Sequence, residues 1–189
     1  MKPLLEFLLN GSFKIVGEAI DGMTDDDWTS RAHPRANVLG FTLWHCARTI
    51  DWAVNTVGSE GTELAEQPQW RDVKPARSFF GAGLSAGEAD AVARSVSRRR
   101  TKAYLDGLRT QTLDWFRALP AEDLNRIVDL KGSHAPLRDH LEPVVWPEIE
   151  DLNGIPLWQF LARPCGAHIR VHYGEVTAQL ETLRVTDTT

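Results

Sequence analysis

His168 and His172 stand four residues apart in a stretch whose apolar residues recur at helical spacing. Side chains at i and i+4 share one helix face with Cβ atoms about 5–6 Å apart, so two such imidazoles can reach one metal ion. A third imidazole, His45, lies on the stripe of an earlier helical segment that also carries Arg48, Thr49 and Trp52. By itself a histidine there reads as a hydrogen-bonded core or boundary residue. Together, three imidazoles from two packed helices make a facial ligand set. Such a set leaves positions open for a small molecule, which is the layout of a catalytic site.

The remaining candidates carry less weight. Cys165 precedes His168 by three residues, so a continuous helix would put it on the same stripe as a thiolate ligand; a free cysteine is more often a small core residue. Cys46 is turned about 100° from His45 and reads as core. His33 and His134 fall in loops and read as solvent-facing, and His140 reads as surface or as a second layer behind the ligands. Metal-bound imidazoles usually donate their other N–H to a carboxylate or carbonyl, and Asp51, Glu148 and Glu175 are the acids to consider. Each of the three reads by itself as a surface charge.

The elements that must position these groups can be followed along the chain. Leu4, Leu5, Leu8, Leu9, Phe13, Val16 and Ile20 predict a first helix over 1–22. Thr24 with Asp25, Asp26 and Asp27 predicts a capped short turn ending near Trp28. Asn37 can cap a second helix over roughly 38–57, and residues 58–84 form a long connection without a sustained period. Ser85 opens a capping-box helix to about Arg94, and Ser97 starts a longer one over 98–118. Pro120-Ala121-Glu122-Asp123 begins another short turn, and residues 131–155 read as irregular. From about Pro156 the helical pattern returns, with Pro164 and Gly166 either kinking the run or marking its true start. The assembly is all-α: one domain over 1–189, a four-helix bundle with long connections and short extra helices.

Composition narrows the partners. The formal net charge is −5 and the hydrophobic fraction 42%, values of an ordinary globular chain that argue against nucleic acid. The one basic cluster, Arg98-Arg99-Arg100 with Lys102, is interleaved with acids and reads as a solvated helix face. No stretch reaches the roughly 20 apolar residues of a membrane span. Glu6 and Asn10 interrupt the N-terminal apolar run, and two cysteines make no disulfide framework; a cytoplasmic setting is the expectation.

Two segments add a resemblance. Asn37-Val38-Leu39-Gly40-Phe41-Thr42-Leu43-Trp44-His45-Cys46-Ala47-Arg48 resembles the second helix of the DinB-like (YfiT-like) superfamily. His168-Ile169-Arg170-Val171-His172-Tyr173-Gly174-Glu175-Val176 resembles its last-helix signature, usually His-x-x-x-His-Arg-Gly-Gln-Ile. The stretch from Phe80 to Asp90 and the helix bearing Tyr104 look like a branch of the same family. The resemblance implies a bundle with a three-histidine site for zinc, nickel or iron, often in a homodimer. Members include thiol S-transferases using mycothiol, bacillithiol or glutathione, and the mycothiol-dependent maleylpyruvate isomerase. The chain departs from the pattern at Tyr173, where Arg is frequent, at Glu175, where Gln is frequent, and at Pro164, where several members carry a further His. Gly174 stands where the related iron-dependent sulfoxide synthases have an acid, which argues against that branch.

The expected function is therefore metal-dependent transfer of a low-molecular-weight thiol to an electrophilic small molecule. His45, His168 and His172 would be ligands, zinc the first choice of ion and nickel or iron the others, with Arg48 a candidate for orienting an anionic group. A hydrolase using metal-bound water, or a non-catalytic metal-binding stress-response protein, would use the same residues.

Overall fold

The computed structural model describes residues 1–75, 79–132 and 139–186, and among them it is all-α. Helix α1 (Lys2–Asp21) starts with Pro3 in its first turn, where a missing N–H costs nothing. It buries Leu5, Leu9, Phe13, Val16 and Ile20 along one stripe. The chain then reverses through the expected cap: Thr24 Oγ1 accepts from Asp27 N at 3.1 Å while the Asp27 carboxylate accepts from Thr24 N at 2.8 Å. This opens the short helix α2 (Asp25–Trp28). Trp28 is buried and its indole N–H is shared between the carbonyls of Ala93 and Val96.

Helix α3 (Leu39–Asp51) is buried at all of its residues. Asn37 does not cap it. Val38 is the N-cap and uses no side chain, because packing against the preceding segment lets the Leu39 N–H donate to the Ser30 carbonyl at 3.0 Å. Close approach also explains Gly40, where a Cβ would sit 2.4 Å from the Trp28 carbonyl oxygen. Beyond Asp51 the helix loosens into a π-helical stretch, Trp52–Gly58. The connection that follows contains two 3-10 turns, Leu64–Glu66 and Arg71–Val73. It lies over α3, where Trp44 Nε1 donates to the Val73 carbonyl at 2.7 Å.

Ser85 and Ser97 open α4 (Ala86–Ser95) and α5 (Arg98–Ala118) as their spacing predicts. The basic cluster is an ion-paired surface: Arg98 meets Asp25 at 2.8 Å, Arg100 meets Asp72 at 2.6 Å, and Lys102 meets Asp106 at 2.7 Å. The expected short turn after Pro120 is a 3-10 turn at Glu122–Asn125. A short helix α6 (Trp146–Ile149) follows, within the stretch that reads as irregular. Then α7 (Leu157–Ala162) runs through a π turn, Arg163–Ala167, directly into α8 (His168–Thr186). Pro164 and Gly166 thus mark a widened turn where the helical run is re-aimed. Helices α1, α3, α5 and the α7–α8 run form the four long members of the bundle, with α3 packed against the other three. No helix among the described residues is long and apolar enough to cross a membrane.

Candidate metal centre

The packing of α3 against the start of α8 brings His45, His168 and His172 together. One nitrogen from each lies within 4.8 Å of the other two. His45 Nε2 and His168 Nε2 are 3.0 Å apart. Metal–nitrogen bonds of about 2.0–2.1 Å at tetrahedral to right angles place two ligand nitrogens about 2.9–3.4 Å apart, so the His45–His168 pair has the spacing of two ligands of one divalent ion, with His172 beside them. The i, i+4 spacing does what it predicts: the His168 and His172 rings are 4.4 Å apart between centroids, and each is 5.0 Å from His45.

Two of the three rings are gripped from behind. His45 Nδ1 makes a short hydrogen bond with the Phe80 carbonyl. Gly81, at φ +102°, allows that approach, since a Cβ there would stand 2.8 Å from His45 Nδ1. His172 Nδ1 lies 2.7 Å from a carboxylate oxygen of Glu175. Burial, with help from the neighbouring rings, pushes His45 down to about 3, and His168 down to about 4. Both are therefore neutral at pH 7, the form in which imidazole is a ligand.

A cavity of about 330 Å³ opens beside the cluster, with His45 and His168 in its wall. Trp52, Phe80, Ile149, Leu152 and Val171 give it an apolar lining, Thr49 adds a hydroxyl, and Glu148 and Arg163 are its charged members. Its size and composition are those of a small-molecule site.

Arg48 is elsewhere. It is fully buried, and each of its five N–H donors has an acceptor. Nε and Nη2 both reach the Phe79 carbonyl, at 3.3 and 3.2 Å; Nη1 meets Asp51 and Tyr104 Oη, each at 2.9 Å; Nη2 also meets Glu63. It has no donor left for an anionic substrate, and it is not among the residues lining the cavity. Its ion pairs with Asp51 and Glu63 belong to a buried network.

Asp51 is no surface charge: it is fully buried and accepts from Arg48, Tyr104, Asn55 and the Leu64 and Ala65 N–H groups. Of the three acids considered, only Glu175 backs an imidazole. His140 is buried, with Nε2 on the Leu130 carbonyl at 3.0 Å and Nδ1 near the Trp52 indole N–H at 3.4 Å, so it braces the cavity wall instead of facing solvent. His33 is exposed as expected, and His134 lies outside the described residues. Cys165 and Cys46 are buried, their thiols pushed up by desolvation, and neither joins the three-histidine group. The Phe80 carbonyl could not be found from residue types; only the glycines at 81 and 83, both at positive φ, hinted at a shaped loop.

A search of curated proteins finds no match to the chain. A family model described as the DinB superfamily matches residues 14–150, which include His45 and stop before His168 and His172. The match thus covers His45, and the fold alone brings His168 and His172 to it. The chain belongs to the DinB superfamily.

Proposed function

We propose that this chain is a metal-dependent thiol S-transferase, with His45, His168 and His172 as the ligands of one divalent ion, zinc by first choice. The observation that carries the reading is the convergence of three imidazole nitrogens within 4.8 Å beside a 330 Å³ cavity with apolar walls. An ion held there supplies Lewis acidity, which keeps a coordinated thiol deprotonated at neutral pH. The protein's own part is positional. His45 and His168 present neutral nitrogens, and Glu175 orients His172. Trp52, Phe80, Ile149 and Leu152 exclude water and hold an electrophile of low polarity next to the histidines. No protein group need transfer a proton at the ligand nitrogens.

The test is the metal content of tag-free protein, followed by titration of mycothiol, bacillithiol and glutathione into the Co²⁺-substituted form. About one ion per chain and a spectral change on thiol addition support sulfur coordination. Stoichiometric metal with no response to any thiol removes the transferase reading and leaves a water-activating enzyme or a binding protein. Absence of metal removes the site itself. The homodimer implied by the family resemblance belongs to the same proposal and is read by sedimentation.

A further inference from the structure

We infer that Arg48 is a positioning residue for the metal site, acting through the Phe79–Phe80 backbone on the tautomer of His45. A neutral imidazole carries one N–H, and a carbonyl oxygen only accepts. The Phe80 carbonyl against His45 Nδ1 therefore places the hydrogen on Nδ1 and leaves Nε2 bare, and Nε2 is the atom 3.0 Å from His168 Nε2. The opposite tautomer would aim an N–H at the other ligands.

What holds that carbonyl in place is the residue before it. Phe79 adopts φ +40°, a left-handed conformation that a bulky side chain keeps only when its surroundings dictate it. Arg48 supplies two converging donors, Nε and Nη2, to the Phe79 oxygen. The guanidinium is itself immobilised by Asp51, Glu63 and Tyr104. Asp51 is anchored in turn by the Leu64 and Ala65 N–H groups at 2.8 and 3.0 Å. Gly81 completes the seat, because any larger residue would push against the His45 ring. The network is thus a rigid bracket, one turn along α3 from the ligand whose hydrogen it places. The planar fork of arginine matters here, since a lysine ammonium cannot give two parallel donors to one oxygen.

The experiment compares wild type, Arg48→Lys and Tyr104→Phe as full-length, tag-free protein. Imidazole ¹⁵N shifts of metal-free protein report the His45 tautomer, and competition with a chromophoric chelator reports Zn²⁺ affinity. Only the affinity arm rests on the metal reading above; the tautomer arm stands without it. Wild type is expected to hold the single Nδ1–H tautomer. Arg48→Lys keeps a positive charge beside Asp51 and Glu63, and is expected to give mixed tautomers and a 10- to 100-fold weaker Zn²⁺ site, the usual effect of losing a group behind a ligand. Tyr104→Phe removes one hold on Nη1 and none on Phe79; it is expected to lower the melting temperature and to change tautomer and affinity by much less than Arg48→Lys. A tautomer shift in Arg48→Lys, alongside a wild type that binds no zinc, would retire the metal reading and uphold the role of Arg48 in setting the His45 tautomer. An unchanged tautomer in folded Arg48→Lys, or an equal shift in Tyr104→Phe, overturns it. Should Arg48→Lys not fold, Glu63→Ala, which frees the Nη2 end of the guanidinium, is expected to shift the tautomer in the same direction by less, and no shift there overturns the inference.

Discussion

The two helices that meet at the histidines are built in opposite ways. Every residue of α3 is buried, and His45 is seated by backbone: a carbonyl behind it, a glycine beside it and a buried ionic network one turn away. On α8, Val171, Gly174 and Glu175 are exposed, and His172 is steered by a carboxylate that is itself half in solvent. One side of the site is cast into the core, and the other is hung on a surface helix. Substitutions on α3 should therefore act first on folding, and substitutions on α8 first on the ion.

The largest effect is expected at Asp51. Replacing it by Ala leaves the Arg48 charge buried without its fully buried carboxylate partner, a class of change that costs about 3–5 kcal/mol. Urea unfolding of metal-free protein reads it, and a loss below 1 kcal/mol would mean that the network adds nothing to α3. Acidification should act on both sides at once. His45 and His168 resist protonation in the folded chain, whereas the unfolded chain takes protons below about pH 6.5. The metal-free protein should hold its stability above that pH and lose it as the pH falls toward 4 and 3. A flat stability profile from pH 7 to pH 4 would contradict the burial of these two rings.

On the α8 side, His168→Ala and His172→Ala should abolish metal retention while the metal-free proteins melt within a few degrees of wild type. His33→Ala should retain the ion, and equal metal content in all three would remove the three-histidine site. Glu175→Ala should weaken metal binding about 10- to 100-fold with little change in melting temperature, since it removes only the group behind His172. The smallest change belongs to the exposed edge: Val171→Ser, at 62% exposure, should shift stability by no more than about 0.5 kcal/mol.

The same contrast explains what the sequence discloses. The helix starts at Thr24, Ser85 and Ser97 are legible because each is a local bargain between a side chain and the backbone three residues on. The His168–His172 pair is legible because helical geometry alone puts both on one face. Asn37 misleads, since a neighbouring carbonyl already serves the helix start it would cap. His140 and Asp51 mislead for a related reason: a polar residue is buried when distant chain supplies its partners, and here Leu130, Leu64 and Ala65 do so with backbone atoms. Backbone atoms are common to every residue type and leave no mark in composition or spacing. The α3 side of the site is therefore the harder half to read.

The π turn at Arg163–Ala167 has a consequence for how such a site can arise or vanish. A helix advances about 100° per residue, so one residue more or fewer in that turn rotates everything after it by more than a quarter of a circle. Removing a single residue there would swing His168 and His172 together away from His45, and would turn the buried Ile169 and Val176 out of the core with them. A site lost by deletion at this turn would be lost together with the packing of the last helix, so the core itself guards the register of the two histidines.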